Sequence, residues 1–180
     1  MKPLIVNLIA GPGAGKSTMA AHVFAELKWM EVNCELVTEF AKEKVWEKSF
    51  HVMENQIFLY ANQHHNITRV AENVDVVITD SPLILSAFYG KKHGEKFVDF
   101  VIDNFKSFWN LNFLLMRKKS FCESGRIHNE DQSREIDRVL KEIMDKNKIN
   151  YISLSGTKDS VSDVLGIILM TLKERNQTCY

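Results

Sequence analysis

The stretch Ala10-Gly-Pro-Gly-Ala-Gly-Lys-Ser-Thr18 decides the fold that this sequence predicts. It follows a short apolar run, Leu4–Ile9, that is long enough for one buried strand, and it precedes a helix predicted over residues 16–30. Glycines let successive backbone N–H groups point at one anion, and the helix directs the positive end of its dipole at the same place. A strand, a glycine-rich turn and a helix in this order predict a P-loop that binds a nucleoside triphosphate.

The residues of this loop have separate predicted roles. The strict pattern G-x-x-x-x-G-K-S/T would begin with Gly, and Ala10 stands there instead, a small departure. Lys16 can reach the β- and γ-phosphates, and Ser17 carries the hydroxyl that a P-loop gives to Mg²⁺. The alternative is a glycine-rich turn that binds nothing. The residues predicted to hold the nucleotide are Gly11, Pro12, Gly13, Ala14, Gly15, Lys16, Ser17 and Thr18.

The composition of the 180 residues is that of a globular protein, with 45% apolar and 26% charged residues. We expect one domain over residues 1–175 and a loose tail over 176–180. Lys and Arg number 23, as do Asp and Glu, so no global field favours nucleic acid or an anionic membrane. Three scattered cysteines without metal or disulfide spacing suit a reducing cytoplasm, and neither a signal peptide nor a membrane span is expected. The cysteines are Cys34, Cys122 and Cys179.

Apolar periodicity predicts strands that alternate with helices along the whole chain. The predicted strands cover residues 4–9, 34–38, 74–79, 111–116 and 149–154. The predicted helices cover residues 16–30, 40–46, 51–72, 95–109, 131–146 and 161–172, and Asn129 and Gln132 form a capping box before the fifth. This alternation predicts a five-stranded, mainly parallel sheet with helices on both faces, an α/β fold. Ligands of such sheets bind beyond the carboxyl ends of the strands, so the residues that follow each strand are candidates for the site.

Two carboxylates follow predicted strands. Glu39 comes after the second strand, where it could accept a proton from an attacking hydroxyl, or could simply complement the dipole of the next helix. Asp80 comes after the branched run of the third strand, in Thr79-Asp-Ser-Pro82, which is a Walker B arrangement that holds Mg²⁺. The alternative for Asp80 is a turn that binds no ligand. The residues alone leave open whether Glu39 or Asp80 is the base.

A basic segment follows the fourth predicted strand. We predict that residues 117–130 form a lid in which Arg117 and Arg126 neutralise charge on the transferring phosphoryl group. Arg134 and Arg138 lie one turn apart on the next helix and could face the same site. A solvated basic loop is the alternative for each of these arginines.

A helical face between the second and third strands is the candidate for substrate contacts. Gln56, Tyr60 and Gln63 share this face, and Gln can make paired donor and acceptor contacts with a base or an amide. Beside it lies the apolar face of the helix, formed by Met53, Ile57, Ala61 and His64. An ordinary, partly exposed helix face is the alternative.

Three segments together carry a resemblance to a known group: Gly11-Pro-Gly-Ala-Gly-Lys-Ser-Thr18, Val37-Thr-Glu-Phe-Ala-Lys42 and Val76-Val-Ile-Thr-Asp-Ser-Pro82. They resemble the small P-loop ATPase/kinase proteins encoded by many bacteriophages. That group is similar to the ribosylnicotinamide kinase domain and, more distantly, to thymidylate, deoxynucleoside and polynucleotide kinases. The resemblance implies ATP and Mg²⁺ as cofactors, Glu39 as the base that deprotonates the acceptor hydroxyl, and a lid that begins at Arg117.

The chain also departs from these relatives. Asp80 is followed by Ser-Pro, so the Asp-Arg-Tyr/His motif of thymidylate kinases is missing. We also expect no nucleotidyltransferase domain such as accompanies some ribosylnicotinamide kinases. The resemblance predicts a kinase that transfers the γ-phosphoryl group of Mg·ATP to a hydroxyl of a nucleoside- or nucleotide-type acceptor. Two alternatives are a kinase acting on a hydroxymethyl pyrimidine within DNA, such as 5-hydroxymethyluracil, and an ATPase switch without an acceptor. The sequence leaves open the acceptor, the choice of ATP over GTP, and the oligomeric state.

Overall fold

Five parallel strands form one sheet in the order β2-β3-β1-β4-β5. The computed structural model describes residues 2–118 and 129–178. The strands are β1 Leu4–Ile9, β2 Cys34–Val37, β3 Val76–Thr79, β4 Trp109–Met116 and β5 Ile152–Ser155. The helices in the described ranges are α1 Lys16–Trp29, α2 Phe40–Trp46, α3 Phe50–Met53, α4 Gln56–Ala71, α5 Leu85–Tyr89, α6 Glu95–Lys106, α7 Glu130–Lys146 and α8 Val161–Thr178.

Strand β1 lies at the centre of the sheet, and all six of its residues are buried. Its side chains alternate between the two faces of the sheet. Leu4, Val6 and Leu8 pack with α1 and α8 on one face, whereas Ile5 and Ile9 pack with α4, α5, α6 and α7 on the other. Burial on both faces explains why the strand is a continuous apolar run. The α/β fold with helices on both faces of the sheet is confirmed.

Several element boundaries differ from those predicted, and local capping explains two of them. Strand β5 begins at Ile152 instead of 149, because Lys148 has a φ of 54° and the N–H of Ile149 donates to the C=O of Met144 at 2.9 Å. These residues therefore complete the end of α7. The helix predicted over 51–72 divides into α3 and α4, because the Asn55 side chain accepts from the N–H of Phe58 and begins a new helix.

The other boundaries that differ from the prediction are not marked by any residue pattern in the sequence. Strand β2 ends at Val37, β3 begins only at Val76, and β4 begins two residues early, at Trp109. Helix α1 ends at Trp29, helix α6 ends at Lys106, and the short helix α5 was not predicted. Helix α8 continues to Thr178, so residues 176–178 are helical where a loose tail was predicted. Within the described ranges, no helix combines the length and the apolar character needed to cross a membrane.

The predicted capping box at the start of α7 is confirmed. Asn129 Oδ1 accepts from the N–H of Gln132 at 2.9 Å, and Gln132 Oε1 accepts from the N–H of Asn129 at 2.9 Å. The box fixes the first turn of the helix that packs against the P-loop, as described below.

We expect Asn129→Ala to lower the free energy of unfolding by about 1 kcal/mol, because it leaves one N–H group at the start of α7 without its acceptor. Urea denaturation of the purified protein measures this change. Asn129→Asp keeps the acceptor and should retain most of the stability. Equal stability of the Ala variant and the wild type would contradict a structural role for the cap.

Candidate functional site

The P-loop, Glu39 and Asp80 follow three neighbouring strands at the same edge of the sheet. Thr79, the last residue of β3, lies opposite Asn7 of β1 and Val37 of β2. The residues that come next in each segment therefore lie close together. The P-loop and Glu39 line one cavity of about 790 Å³, and Asp80 lies near enough to act on the charges of both Lys16 and Glu39.

The P-loop backbone depends on glycine at two positions. Gly13 and Gly15 have φ values of 82° and 98°, a region that side chains disfavour. Gly15 also lies against Gly156, where an added Cβ would come within 2.9 Å of the Gly156 carbonyl oxygen. Gly15 caps α1 without any side-chain hydrogen bond, so the first N–H groups of the helix face the cavity without a side-chain acceptor. This arrangement suits an anion.

Lys16 is a buried positive charge in this site. Its side chain is buried, and Nζ donates to the carbonyl oxygen of Gly11 at 3.0 Å. Burial lowers the pKa of Lys16, while the charges of Glu39, Asp80 and Asp137 act in the opposite direction. The ammonium group therefore has three carboxylates around it and faces the cavity where the phosphates are predicted to bind.

Asp80 has the surroundings expected of a cation ligand. The residue is only 2% exposed, and its Oδ1 is buried without a hydrogen-bond partner among the residues that the structure describes. A buried carboxylate oxygen without a partner is costly unless a cation or a water satisfies it. The described ranges contain no group of three His, Cys, Asp or Glu residues placed to hold a metal. The residues of the site that could contribute to holding Mg²⁺ are Asp80 and Ser17, whose oxygens are the kind of ligand this ion prefers.

Glu39 lines the cavity and makes no capping hydrogen bond. It occupies the residue before α2 with extended backbone angles, but its side chain does not cap that helix. Burial raises the pKa of Glu39, and the nearby Lys16 lowers it in part. A carboxylate that takes up a proton more readily than usual, beside a phosphate-binding lysine, is suited to proton transfer.

The glutamines and Tyr60 of α4 have different roles. Gln63 lines the cavity and accepts from the N–H of Phe40 at 3.0 Å, so it fixes the start of α2 next to Glu39. Gln56 also lines the cavity and donates to the C=O of Met53. The Tyr60 hydroxyl instead donates to Asn104 on α6 at 2.7 Å. Tyr60 is buried against α6 and is not part of the cavity wall, so the structure does not support its predicted contact with substrate.

The buried face of α4 differs from the apolar face that the sequence indicates. It consists of Leu59, Tyr60, Gln63 and Ile67, whereas Ile57 is 53% exposed. Gln63 lies on the inner face because its amide has partners there: the backbone of Phe40 and, at 3.5 Å, the hydroxyl of Thr79. Apolar periodicity cannot identify a buried glutamine whose partners come from other segments.

Arg117 does not extend over the cavity as predicted. Its side chain is only 6% exposed and pairs with Asp137 of α7, with 2.6 Å between Nε and Oδ2. Its Nη1 also donates to the C=O of Pro12 at 2.6 Å. Arg117 is thus fixed behind the P-loop, because two acceptors there hold its guanidinium group.

The other predicted arginines do not contribute to the described site. Arg134 pairs with Glu130 on the solvent side of α7. Arg138 pairs with Glu135 and Glu142 on the same exposed side. Arg126 and most of the predicted lid lie outside the described residues.

Two parts of the site were missed by the sequence analysis. One is an apolar and aromatic wall formed by Trp46, Phe50, Met53, Leu85 and Tyr89. The other is Asp137, whose contact with the P-loop joins positions 126 residues apart. The wall was missed because the short helices α3 and α5, which carry part of it, have too few residues to show helical periodicity. Asp137 was missed because no local sequence pattern indicates a contact between residues so far apart in the chain.

Structural comparison shows that solved structures of other proteins share this fold. The structure of NadR in complex with NR has a TM-score of 0.67 and 15% identity, covering 90% of this chain and 50% of that one. A NadR structure with NAD and AMP-PNP has a TM-score of 0.60 and 12% identity over 91% of this chain. The chain thus spans about half the length of the NadR chains. A deoxyadenosine kinase from M. mycoides with bound dATP has a TM-score of 0.51 and 16% identity, covering 94% of this chain and 99% of that one.

Sequence comparison gives the family. A search of curated proteins found no match. Residues 5–161, which include the P-loop, Glu39, Asp80 and α7, match the family AAA_28, described as an AAA domain. The match covers most of the chain, and the chain therefore belongs to this AAA domain family.

Proposed function

We propose that the protein is an ATP- and Mg²⁺-dependent kinase that transfers the γ-phosphoryl group to a hydroxyl of a nucleoside- or nucleotide-type acceptor. The observation that carries the proposal is the cavity that the P-loop and Glu39 line together with aromatic side chains. Such a cavity can hold a triphosphate and an acceptor ring in contact, with a carboxylate between them. Phosphoryl transfer needs little more than this positioning and neutralisation of charge.

The donor half of the site is the P-loop. Backbone N–H groups from Gly13 to Ser17 would bind the phosphates, and Lys16 would exchange its bond to Gly11 for the β- and γ-phosphates. Ser17 and Asp80 would hold Mg²⁺, which supplies positive charge against the phosphates. The choice of ATP is supported by the NadR structure that contains AMP-PNP, an analogue of ATP.

The acceptor half is the space between Glu39, α2, α3 and α5. Trp46, Phe50 and Tyr89 line it and offer flat apolar surfaces on which a planar ring can stack. Glu54 and Gln56 add polar groups on the same wall. The NadR structure with NR, whose fold is the same, supports an acceptor of nucleoside type.

Glu39 is the proposed base and Asp80 the proposed metal ligand. Glu39 lines the cavity itself, and its raised pKa favours uptake of a proton from the acceptor hydroxyl. Asp80 is buried, and its Oδ1, which has no hydrogen-bond partner in the described part of the chain, is suited to bind a cation. We divide the roles in this way because Glu39 lines the cavity, whereas Asp80 has a buried oxygen without a hydrogen-bond partner among the described residues.

Several predictions from the sequence are untested by the structure and are kept as part of this proposal. One domain over residues 1–175, a cytoplasmic location, a phage-type kinase and a lid with Arg126 stay predictions. DNA as the acceptor is the alternative within the same chemistry, and the exposed Lys42 and Lys92, which line the cavity, would then contact its phosphates.

Transfer of labelled γ-phosphate from ATP should place the label on a small acceptor. The panel contains free nucleosides, deoxynucleotides, nicotinamide riboside and DNA with ordinary or hydroxymethylated pyrimidines. Label on DNA alone, with binding that weakens steeply as salt rises, would favour the DNA alternative. Phosphate released to water with every acceptor unlabelled would overturn the kinase proposal in favour of an ATPase switch.

Lys16→Ala and Asp80→Asn should each lower kcat by about a hundredfold or more, because each removes a charge that stabilises the transferring group. Steady-state kinetics with the acceptor found above measures the effect. Lys106→Ala and Asp99→Asn make the same changes on the exposed side of α6 and should leave kcat unchanged. Near wild-type kcat in either site variant would remove that residue from the mechanism.

The pH dependence tests the role of Glu39. Its pKa is raised above 4.5 in the folded protein, so the wild-type rate should increase as pH rises through that raised value, while Glu39→Gln should be slow and lack this limb. A raised carboxyl pKa also means that ionisation costs stability as pH rises above 4.5. Glu39→Gln should therefore melt at a higher temperature than the wild type at pH 8 and at nearly the same temperature at pH 4. Wild-type turnover by Glu39→Gln would refute the assignment of the base.

A further inference from the structure

Helix α7 touches the first turn of the P-loop through Asp137. The N–H of Gly11 donates to Asp137 Oδ1 at 2.5 Å. A Cβ added at Gly11 would come within 2.5 Å of the Ser133 carbonyl oxygen and within 3.1 Å of Asp137 Oδ1. Gly11 is therefore required by close approach to α7, and the loop and the helix fit together at this residue.

Arg117 completes this contact with three donated hydrogen bonds. Nε donates to Asp137 Oδ2 at 2.6 Å, Nη1 to the C=O of Pro12 at 2.6 Å and Nη2 to the C=O of Ser133 at 3.3 Å. Both oxygens of Asp137 are thus used, one on the loop backbone and one on Arg117. The planar guanidinium group fixes the direction of all three bonds, which an ammonium group would not do.

Gly11, in the same turn of the loop, also binds the side chain of Lys16. Gly11 donates its N–H to Asp137 and accepts from Lys16 Nζ through its carbonyl oxygen, at 3.0 Å. A change in the position of Gly11 therefore moves the acceptor of the lysine that is proposed to bind the phosphates. Charge-assisted hydrogen bonds in a partly buried site are stronger and better directed than neutral ones, so this contact can set the geometry of the loop.

We propose that Asp137 is a positioning residue for the nucleotide site: it holds Gly11 directly and Pro12 through Arg117, and so keeps the P-loop in the form that binds ATP. The inference rests on the proposed function, because it assumes that the loop binds ATP. Asp137 acts through the loop and does not touch the nucleotide. Asp137 thus adds a supporting contact to a site whose other parts are the phosphate-binding backbone and the carboxylates Glu39 and Asp80.

The same contacts would exist if Asp137 served only to attach α7 to the rest of the fold. The affinity for nucleotide distinguishes this structural role from the proposed positioning role. We expect Asp137→Asn to raise the Kd for Mg²⁺ and AMP-PNP about tenfold at a temperature well below its melting point, because one charge-assisted bond is lost. Isothermal titration calorimetry measures the Kd. A residue that only attached α7 would lower the melting temperature and leave this Kd unchanged.

Arg117→Lys is a second test that keeps a positive charge. It should also raise the Kd, because lysine cannot make the three directed bonds to Asp137, Pro12 and Ser133. The double variant should be less than additive, because the two residues act as a unit. Asp145→Asn is the matched control, because Asp145 is an exposed, ion-paired aspartate on the same helix. The Kd of this variant for Mg²⁺ and AMP-PNP should equal that of the wild type.

Lys16→Ala separates the failure of this inference from that of the proposed function. If Lys16→Ala weakens AMP-PNP binding while Asp137→Asn and Arg117→Lys bind like the wild type, the positioning role is overturned and the nucleotide site stands. If Lys16→Ala also binds like the wild type, the proposed nucleotide site itself is wrong. If Asp137→Asn does not fold, the Kd of Arg117→Lys decides the question.

Discussion

A buried ammonium group among carboxylates is the constraint on which the site depends. Lys16 is buried, and the charges of Glu39, Asp80 and Asp137 act on it from segments that follow β2, β3 and β4. Removing a lysine from water is costly unless opposite charges lie nearby. Glu39 and Asp80 lie near this cation, and Asp137 pairs directly with a second cation, Arg117.

The parallel sheet makes this arrangement possible. Parallel strands end at the same edge, so residues that are far apart in sequence meet there without long loops. Thr79 lies beside both Val37 and Asn7, which brings Glu39, Asp80 and the P-loop together. Helix α7 then closes the back of the loop through Asp137 and Arg117. The front of the loop remains open to the cavity, where a nucleotide and an acceptor can meet.

Local signals made the P-loop, the sheet and the cap at Asn129 predictable from the sequence. Each depends on residues that are close along the chain: the glycines and Lys16, the apolar run of β1, and the pair of Asn129 and Gln132. The position of Arg117 was not predictable because its partners, Asp137 and Pro12, are distant in sequence. The same holds for Tyr60, whose hydroxyl donates to Asn104 on another helix. Periodicity reports which face of a helix is apolar, and it does not report which polar groups meet across the fold.

The decisive experiment is a crystal structure of the protein with Mg²⁺, AMP-PNP and the acceptor found in the transfer assay. We expect the metal on Ser17 and Asp80, the phosphates on Lys16, and a Glu39 oxygen within about 3.2 Å of the acceptor hydroxyl. Metal bound to Glu39, or an acceptor whose hydroxyl faces away from that carboxylate, would contradict this expectation.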